Sequence, residues 1–177
     1  MRFYSGFSLK NEQHFFDVYT NHSDYTVCGF SYGAIKAFRH VKEQLELQKR
    51  VDTLQLFSPA FFQTKEEKFK KIQLLGYRKD RDLYLNEFLK SCFLPYPKKS
   101  VEQEEDSVEE LEELLYFQWD KQELKNLAKK GVKIEVYLGG KDTIIDVEGA
   151  REFFLEVSTV TYIKNANHFL QTTDVTH

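Results

Sequence analysis

The sequence predicts an α/β fold, a parallel sheet of about five strands with helices on both faces. Three observations carry that expectation. Short apolar runs of strand character alternate with stretches of helical period along most of the chain. The clearest strand, Val132 to Leu138, comes late and is followed by one more helix and one more strand. The interval 61–130, by contrast, holds no β-branched run and is rich in Lys, Glu, Leu and Phe, which reads as several helices. A chain of 177 residues that is 41% hydrophobic can bury one core, so a single domain over 1–177 is expected.

Taken in order, Arg2 to Phe7 reads as a short strand bounded by a glycine, and Lys10 to Tyr19 as a helix with Phe15, Phe16 and Val18 on its apolar side. Tyr25 to Cys28 is a second strand. It is broken by Gly29, after which Ala34, Ile35, Phe38, Val41 and Leu45 keep a helical period to Lys49. Val51 to Phe57 alternates apolar and polar residues and stops at Ser58-Pro59. Beyond the helical interval, Val132–Leu138 is a strand, Val147–Glu156 a helix and Val157–Ile163 the last strand. The acidic run Glu102 to Glu113 reads as a solvated helix face with Leu111, Leu114 and Leu115 turned inward.

Composition removes several function classes. A formal net charge of −3 gives no basic stripe for nucleic acid. Two cysteines, Cys28 and Cys92, are too few for a disulfide framework or a four-ligand zinc site and suit a reducing compartment. The N-terminus lacks a signal-peptide pattern and no stretch of about eighteen apolar residues is present, so a cytoplasmic protein without a membrane span is expected. No phosphate loop, dinucleotide fingerprint or paired metal-ligand motif occurs, and neither cofactor nor metal is expected.

Gly29-Phe30-Ser31-Tyr32-Gly33 fits G-x-S-x-G, a turn in which serine stands between a strand and a helix. Its neighbours supply that setting, with the strand Tyr25–Cys28 before it and a helix opening at Tyr32. A serine nucleophile needs a base held in the right tautomer by a third group. Of the five histidines, His14 and His40 lie in helices, His22 in a polar turn and His177 at the chain end. His168 follows the last strand by a short polar loop, which puts it at the carboxyl edge of a parallel sheet. The acid belongs between Ser and His in chain order. Asp142, after Gly139-Gly140-Lys141, is the first choice, and Asp146 the alternative, although Asp146 also suits an N-cap. The N–H groups of Tyr32 and Phe7 are the candidate oxyanion donors, Phe7 coming from the loop after the first strand.

Ser5-Gly6-Phe7, Gly-Phe-Ser-Tyr-Gly-Ala, Gly-Gly-Lys-Asp and Asn-His-Phe stand in the order of the α/β-hydrolases, and the chain resembles that superfamily over nearly its whole length. Within it, the sequence is similar to the short pimeloyl-[acyl-carrier protein] methyl ester esterases of biotin synthesis. The resemblance implies a pared-down α/β-hydrolase fold with 61–130 as a helical cap, in which Phe61, Phe62, Phe69, Leu74, Leu75, Phe88 and Phe93 line an acyl channel. It implies Ser31 as nucleophile, His168 as base, Asp142 as acid, and the Phe7 and Tyr32 amides as the oxyanion site. It also implies hydrolysis of a carrier-bound pimeloyl methyl ester to the free acid and methanol. A thioesterase or general carboxylesterase with the same residues, or a non-catalytic carrier-binding module, are the competing readings. The family's partner is an acidic acyl-carrier protein, for which Lys65, Lys68, Lys70, Lys71, Arg78, Lys79 and Arg81 are the candidate contacts. Where the family commonly has His-Gly in the first loop, this chain has Ser5-Gly6.

Overall fold

The computed structural model describes residues 1–172, which leaves His177 outside the described residues. The chain runs β1 (Arg2–Tyr4), β2 (Leu9–Lys10), a 3-10 turn (Glu12–Phe16), β3 (Thr26–Phe30), α1 (Tyr32–Glu46) and β4 (Thr53–Phe57). It continues with α2 (Glu67–Lys79), α3 (Arg81–Phe93), β5 (Glu102–Gln103), α4 (Val108–Tyr116) and α5 (Lys121–Lys129), and ends with β6 (Lys133–Gly139), α6 (Val147–Leu155) and β7 (Thr159–Ile163). Five strands in the order β1-β3-β4-β6-β7 form one sheet, and every neighbouring pair is parallel. This is a pared-down α/β-hydrolase sheet flanked by helices.

Alternation along the inner strands assigns each face its own core. Val27, Leu54, Leu56, Val136 and Leu138 face α1 and α6, where Ala34, Ile35, Phe38, Val41 and Phe154 complete the larger cluster. Cys28, Phe30 and Phe57 face the other way, onto Phe16, Phe93 and Phe169. Each large side chain so enclosed contributes about 1.5–3 kcal/mol relative to leaving it in water. Among the described residues no helix is long and apolar enough to cross a membrane.

Two expectations are corrected. The helix over Lys10–Tyr19 is only the 3-10 turn Glu12–Phe16, because Leu9–Lys10 is taken into antiparallel pairing with Glu102–Gln103 and Asn11 adopts a left-handed backbone (φ 61°). Phe16 still faces inward, with its ring 4.8 Å from those of Phe30 and Phe57, but Val18 is 84% exposed. The acidic run is likewise not one helix. Its start pairs as β5, Asp106 is drawn inward by Arg81 and Tyr77, and α4 begins only after Ser107, whose hydroxyl caps the Glu110 N–H; Leu111, Leu114 and Leu115 are buried as expected.

The four helices between β4 and β6 divide. α2 packs against α3 and α4 as a cap region. α5 returns to the sheet layer, where Leu124 and Leu127 join the larger core and ion pairs tie Glu123 to Lys42 of α1 and Lys121 to Glu156 at the end of α6.

Candidate active site

Ser31 occupies the sharp turn between β3 and α1 with φ 53° and ψ −115°, a region that non-glycine residues avoid. Neighbouring glycines make the turn possible by absence of volume. A Cβ on Gly29 would stand 2.2 Å from the Gly33 carbonyl oxygen, and one on Gly33 would stand 2.0 Å from the Tyr4 carbonyl oxygen. The turn is held from the next strand: the Ser31 N–H donates to Phe57 O at 3.0 Å, and Ser31 O accepts from Ala60 N at 3.1 Å.

His168 is 1% exposed and reaches Ser31 from the loop after β7, with Nε2 3.1 Å from Oγ. Its Nδ1 lies 2.6 Å from Asp142 Oδ2, the short separation of a charge-assisted hydrogen bond. An ionised carboxylate only accepts, so Nδ1 carries the proton and Nε2 is left to accept from the Ser31 hydroxyl. Asp142 is itself fixed, since its Oδ1 accepts the N–H groups of Ile144 (2.7 Å) and Ile145 (3.3 Å) and its side chain is fully enclosed. Asp146 is occupied elsewhere: it caps α6 through Gly149 N and accepts from Thr64 Oγ1. The arrangement therefore brings together Ser31, His168 and Asp142, each beyond the carboxyl end of a different strand.

Two side chains without an assigned role in the sequence hold the histidine loop. Ser58 donates from Oγ to the His168 carbonyl at 2.7 Å, Asn167 donates from Nδ2 to Phe93 O at 2.9 Å, and the Asn167 Oδ1 accepts Gln171 N at 3.0 Å. Asn167 stands beside the motif histidine in the chain, which was the available signal. Ser58 marked only the end of a strand.

Among the described residues neither the Phe7 N–H nor the Tyr32 N–H donates a hydrogen bond. The preceding amide, Gly6 N–H, donates to the carboxylate of Glu12 at 2.7 Å. Burial pushes the Glu12 carboxyl above its ordinary range, and the Gly6 bond only partly offsets this. The Tyr32 phenol donates to Glu113 Oε2 at 2.7 Å, and burial, reinforced by Glu113, raises it. At Glu113 burial opposes ionisation, but Tyr32 and Arg39 outweigh it and hold the carboxyl below the usual range.

A cavity of about 590 Å³ lies between the cap helices and the loops that follow β1 and β6; Ser31, His168 and Asp142 are not among its lining residues. Phe7 and Ile144 line it on the sheet side, Phe62, Phe69 and Phe88 on the cap side, and Leu111, Leu114 and Leu115 along α4. Of the residues expected to line an acyl channel, Phe62, Phe69 and Phe88 line this cavity, although Phe62 is also part of the core. Phe61, Leu74 and Phe93 pack only in the core, and Leu75 points to solvent, 63% exposed. The basic cluster is also corrected in part. Lys70 is buried with its ammonium 5.0 Å from the Tyr116 ring centre, and Arg81 is committed to Asp106 through Nε and Nη2. Lys65 is half-buried over Phe69, while Lys68, Lys71, Arg78 and Lys79 are exposed along α2.

Alternative chemistries find little support in the side chains. Burial pushes the Cys28 thiol up to about 12 and the Cys92 thiol well above its ordinary range, so neither supplies a thiolate near neutral pH. Among the described residues no group of three or more His, Cys, Asp or Glu side chains is placed to hold a metal ion.

No protein-family model and no curated protein matches the sequence. Solved structures do match the fold. Naproxen esterase from Bacillus subtilis is similar over 82% of this chain and 53% of its own, with 20% identity and a TM-score of 0.51. Bromoperoxidase from Bacillus anthracis is similar over 81% and 60%, with 16% identity and a TM-score of 0.60. This chain thus spans little more than half the length of those proteins. BioG from Haemophilus influenzae is similar over 95% of this chain and 87% of its own, with 9% identity and a TM-score of 0.57. At such identities the likeness speaks for the fold, and together with the geometry of the site it leaves one description: a pared-down α/β-hydrolase fold carrying a Ser-His-Asp triad of the serine-hydrolase type.

Proposed function

We propose that the chain hydrolyses carboxylic esters or thioesters of an apolar acyl group, with Ser31 as nucleophile, His168 as general base and acid, and Asp142 as the group that orients the imidazole. The observation that carries this reading is the continuous contact from Asp142 through His168 to Ser31, at 2.6 and 3.1 Å. The Ser31 hydroxyl passes its proton to His168 Nε2 as Oγ bonds to the substrate carbonyl carbon. The tetrahedral oxyanion is met by the Phe7 and Tyr32 N–H groups, the latter at the start of α1, where the helix dipole favours negative charge. Collapse breaks the bond to the alcohol or thiol, which leaves with the proton from His168. Water then gives a proton to His168, attacks the acyl-Ser31 carbonyl and releases the carboxylic acid, and the proton returns to Ser31 Oγ. The cavity of about 590 Å³ suits the acyl group.

A narrower reading keeps the carrier-bound pimeloyl methyl ester as substrate, and the exposed Lys68, Lys71, Arg78 and Lys79 favour it by charge complementarity to an acidic carrier. Purified protein tested on methyl esters and thioesters, free and carrier-bound, separates the two. Ser31→Ala is expected to lose about a million-fold in turnover, because residues of a triad act as a unit. A fluorophosphonate should label Ser31 in the wild type only. Retention of more than about a hundredth of the wild-type rate by the folded mutant would overturn the assignment.

A further inference from the structure

We propose that Glu12 is a positioning residue for the oxyanion site, holding the Gly6–Phe7 turn so that the Phe7 N–H stays free for the reacting oxygen. The inference rests on the esterase reading above and deepens it. Glu12 is 1% exposed, an unusual fate for a carboxyl group that a loop alone does not require. Its Oε1 accepts Gly6 N–H at 2.7 Å, and its Oε2 has no partner among the described residues. The Gly6 carbonyl is taken as well, by Leu9 N at 3.2 Å, so both backbone polar groups before Phe7 are committed inward. The turn is also pressed from below: a Cβ on Gly6 would stand 2.9 Å from the ring of Phe30, the residue that precedes Ser31. Glu12 on one side and Phe30 on the other therefore fix the peptide that carries the Phe7 amide, and Ser8, in a left-handed conformation (φ 62°), closes the loop. A buried carboxyl group reaching a backbone N–H is costly to maintain, and the place where it acts is one residue from the proposed oxyanion donor.

Three variants of the full chain separate positioning from mere structural support. Glu12→Gln keeps an acceptor oxygen at the same reach on a group that cannot ionise. Glu12→Asp keeps the carboxyl and shortens the reach, and Glu12→Leu removes the acceptor. The rate at which a fluorophosphonate modifies Ser31 is measured on each, together with kcat and KM for p-nitrophenyl butyrate and the thermal midpoint. Glu12→Gln is expected within about threefold of wild type, while Glu12→Asp and Glu12→Leu lose about 10- to 100-fold in phosphonylation rate and kcat, with KM within twofold, approaching the loss of one oxyanion donor. A lowered thermal midpoint with unchanged kcat and labelling in the Asp variant would overturn the inference, as would equal loss in the Gln variant. Should Glu12→Leu not fold, the Gln and Asp pair decides. Failure of the wild type to label at Ser31 would instead overturn the esterase reading, whatever the Glu12 variants do.

Discussion

At Ser31 the backbone takes a conformation that costs about 1–3 kcal/mol, and the molecule sustains it only because the atoms around it leave no alternative. That is why the elbow was legible in the sequence: Gly29 and Gly33 are dictated because a Cβ at either would fall 2.2 or 2.0 Å from a backbone oxygen, which no rearrangement of side chains relieves. The choice of Asp142 over Asp146 was legible in part, because Asp146 stands where the following helix needs a cap, and it does cap α6. Only the structure shows that Thr64 occupies it as well. Asp142→Asn is expected to lower kcat by about ten-thousand-fold, since an amide can donate to Nδ1 and so hold the wrong tautomer. Asp146→Asn is expected to leave kcat within a few-fold and to cost at most about 2 kcal/mol of stability through the cap. Steady-state kinetics and thermal melts on the two folded variants check both, and a larger kinetic loss at Asp146 would reverse the assignment. Ser58 and Glu12 escaped notice for one reason: each acts through a hydrogen bond whose partner is set by tertiary structure, and neither residue type carries a periodic or motif signal.

Elements that run their full period through a buried face were predictable, and those shaped by a distant partner were not. α1, α6 and the inner strands fall within a few residues of their expected bounds, because their apolar positions recur at the spacing of the structure itself. The turn at Glu12–Phe16 and the start of α4 depart because β2 pairs with β5 and Asp106 binds Arg81. α2 shows the same division within one helix. Its period turns Lys70, Leu74 and Tyr77 inward, so a basic run in sequence becomes a basic strip containing only Lys68, Lys71, Arg78 and Lys79. If a carrier protein docks on this strip, Lys68→Glu, Lys71→Glu and Lys79→Glu combined should raise KM for a carrier-bound acyl ester several-fold at low salt and less at high salt, because exposed charges are screened. Turnover of a small p-nitrophenyl ester should not change. Equal loss on both substrates would mean a damaged cap, and no loss on either would remove α2 as the docking face.

On the scale of the whole molecule, the parallel sheet sets the site and the cap helices line a cavity. Serine, acid and histidine were legible in order because β3, β6 and β7 all point the same way and end at the same edge. The pose of the cap was not, since it depends on polar ties between distant segments: Tyr32 and Arg39 of α1 to Glu113 of α4, and Arg81 and Tyr77 to an enclosed Asp106. Those ties bring α2, α3 and α4 around a cavity whose lining is mainly aromatic and aliphatic, and whose one charged contributor is Glu87. No cationic side chain lies within 4 Å of that carboxylate among the described residues, so the exposed Glu87 places a negative charge at the cavity's edge beside an apolar wall. An acyl chain ending in its own carboxylate is then disfavoured twice, by desolvation and by like charge. A p-nitrophenyl half-ester of a dicarboxylic acid should be hydrolysed at least about tenfold less efficiently than the neutral monocarboxylic ester of equal length, mostly through KM, as expected for a cost of about 1.4 kcal/mol in binding. Glu87→Gln should recover a few-fold of that difference without altering the neutral ester. Glu87 is exposed, so the substitution tests charge without emptying the core, and the recovery should shrink as salt is raised. Equal efficiency on both esters in the wild type would show that the acyl group lies outside this cavity.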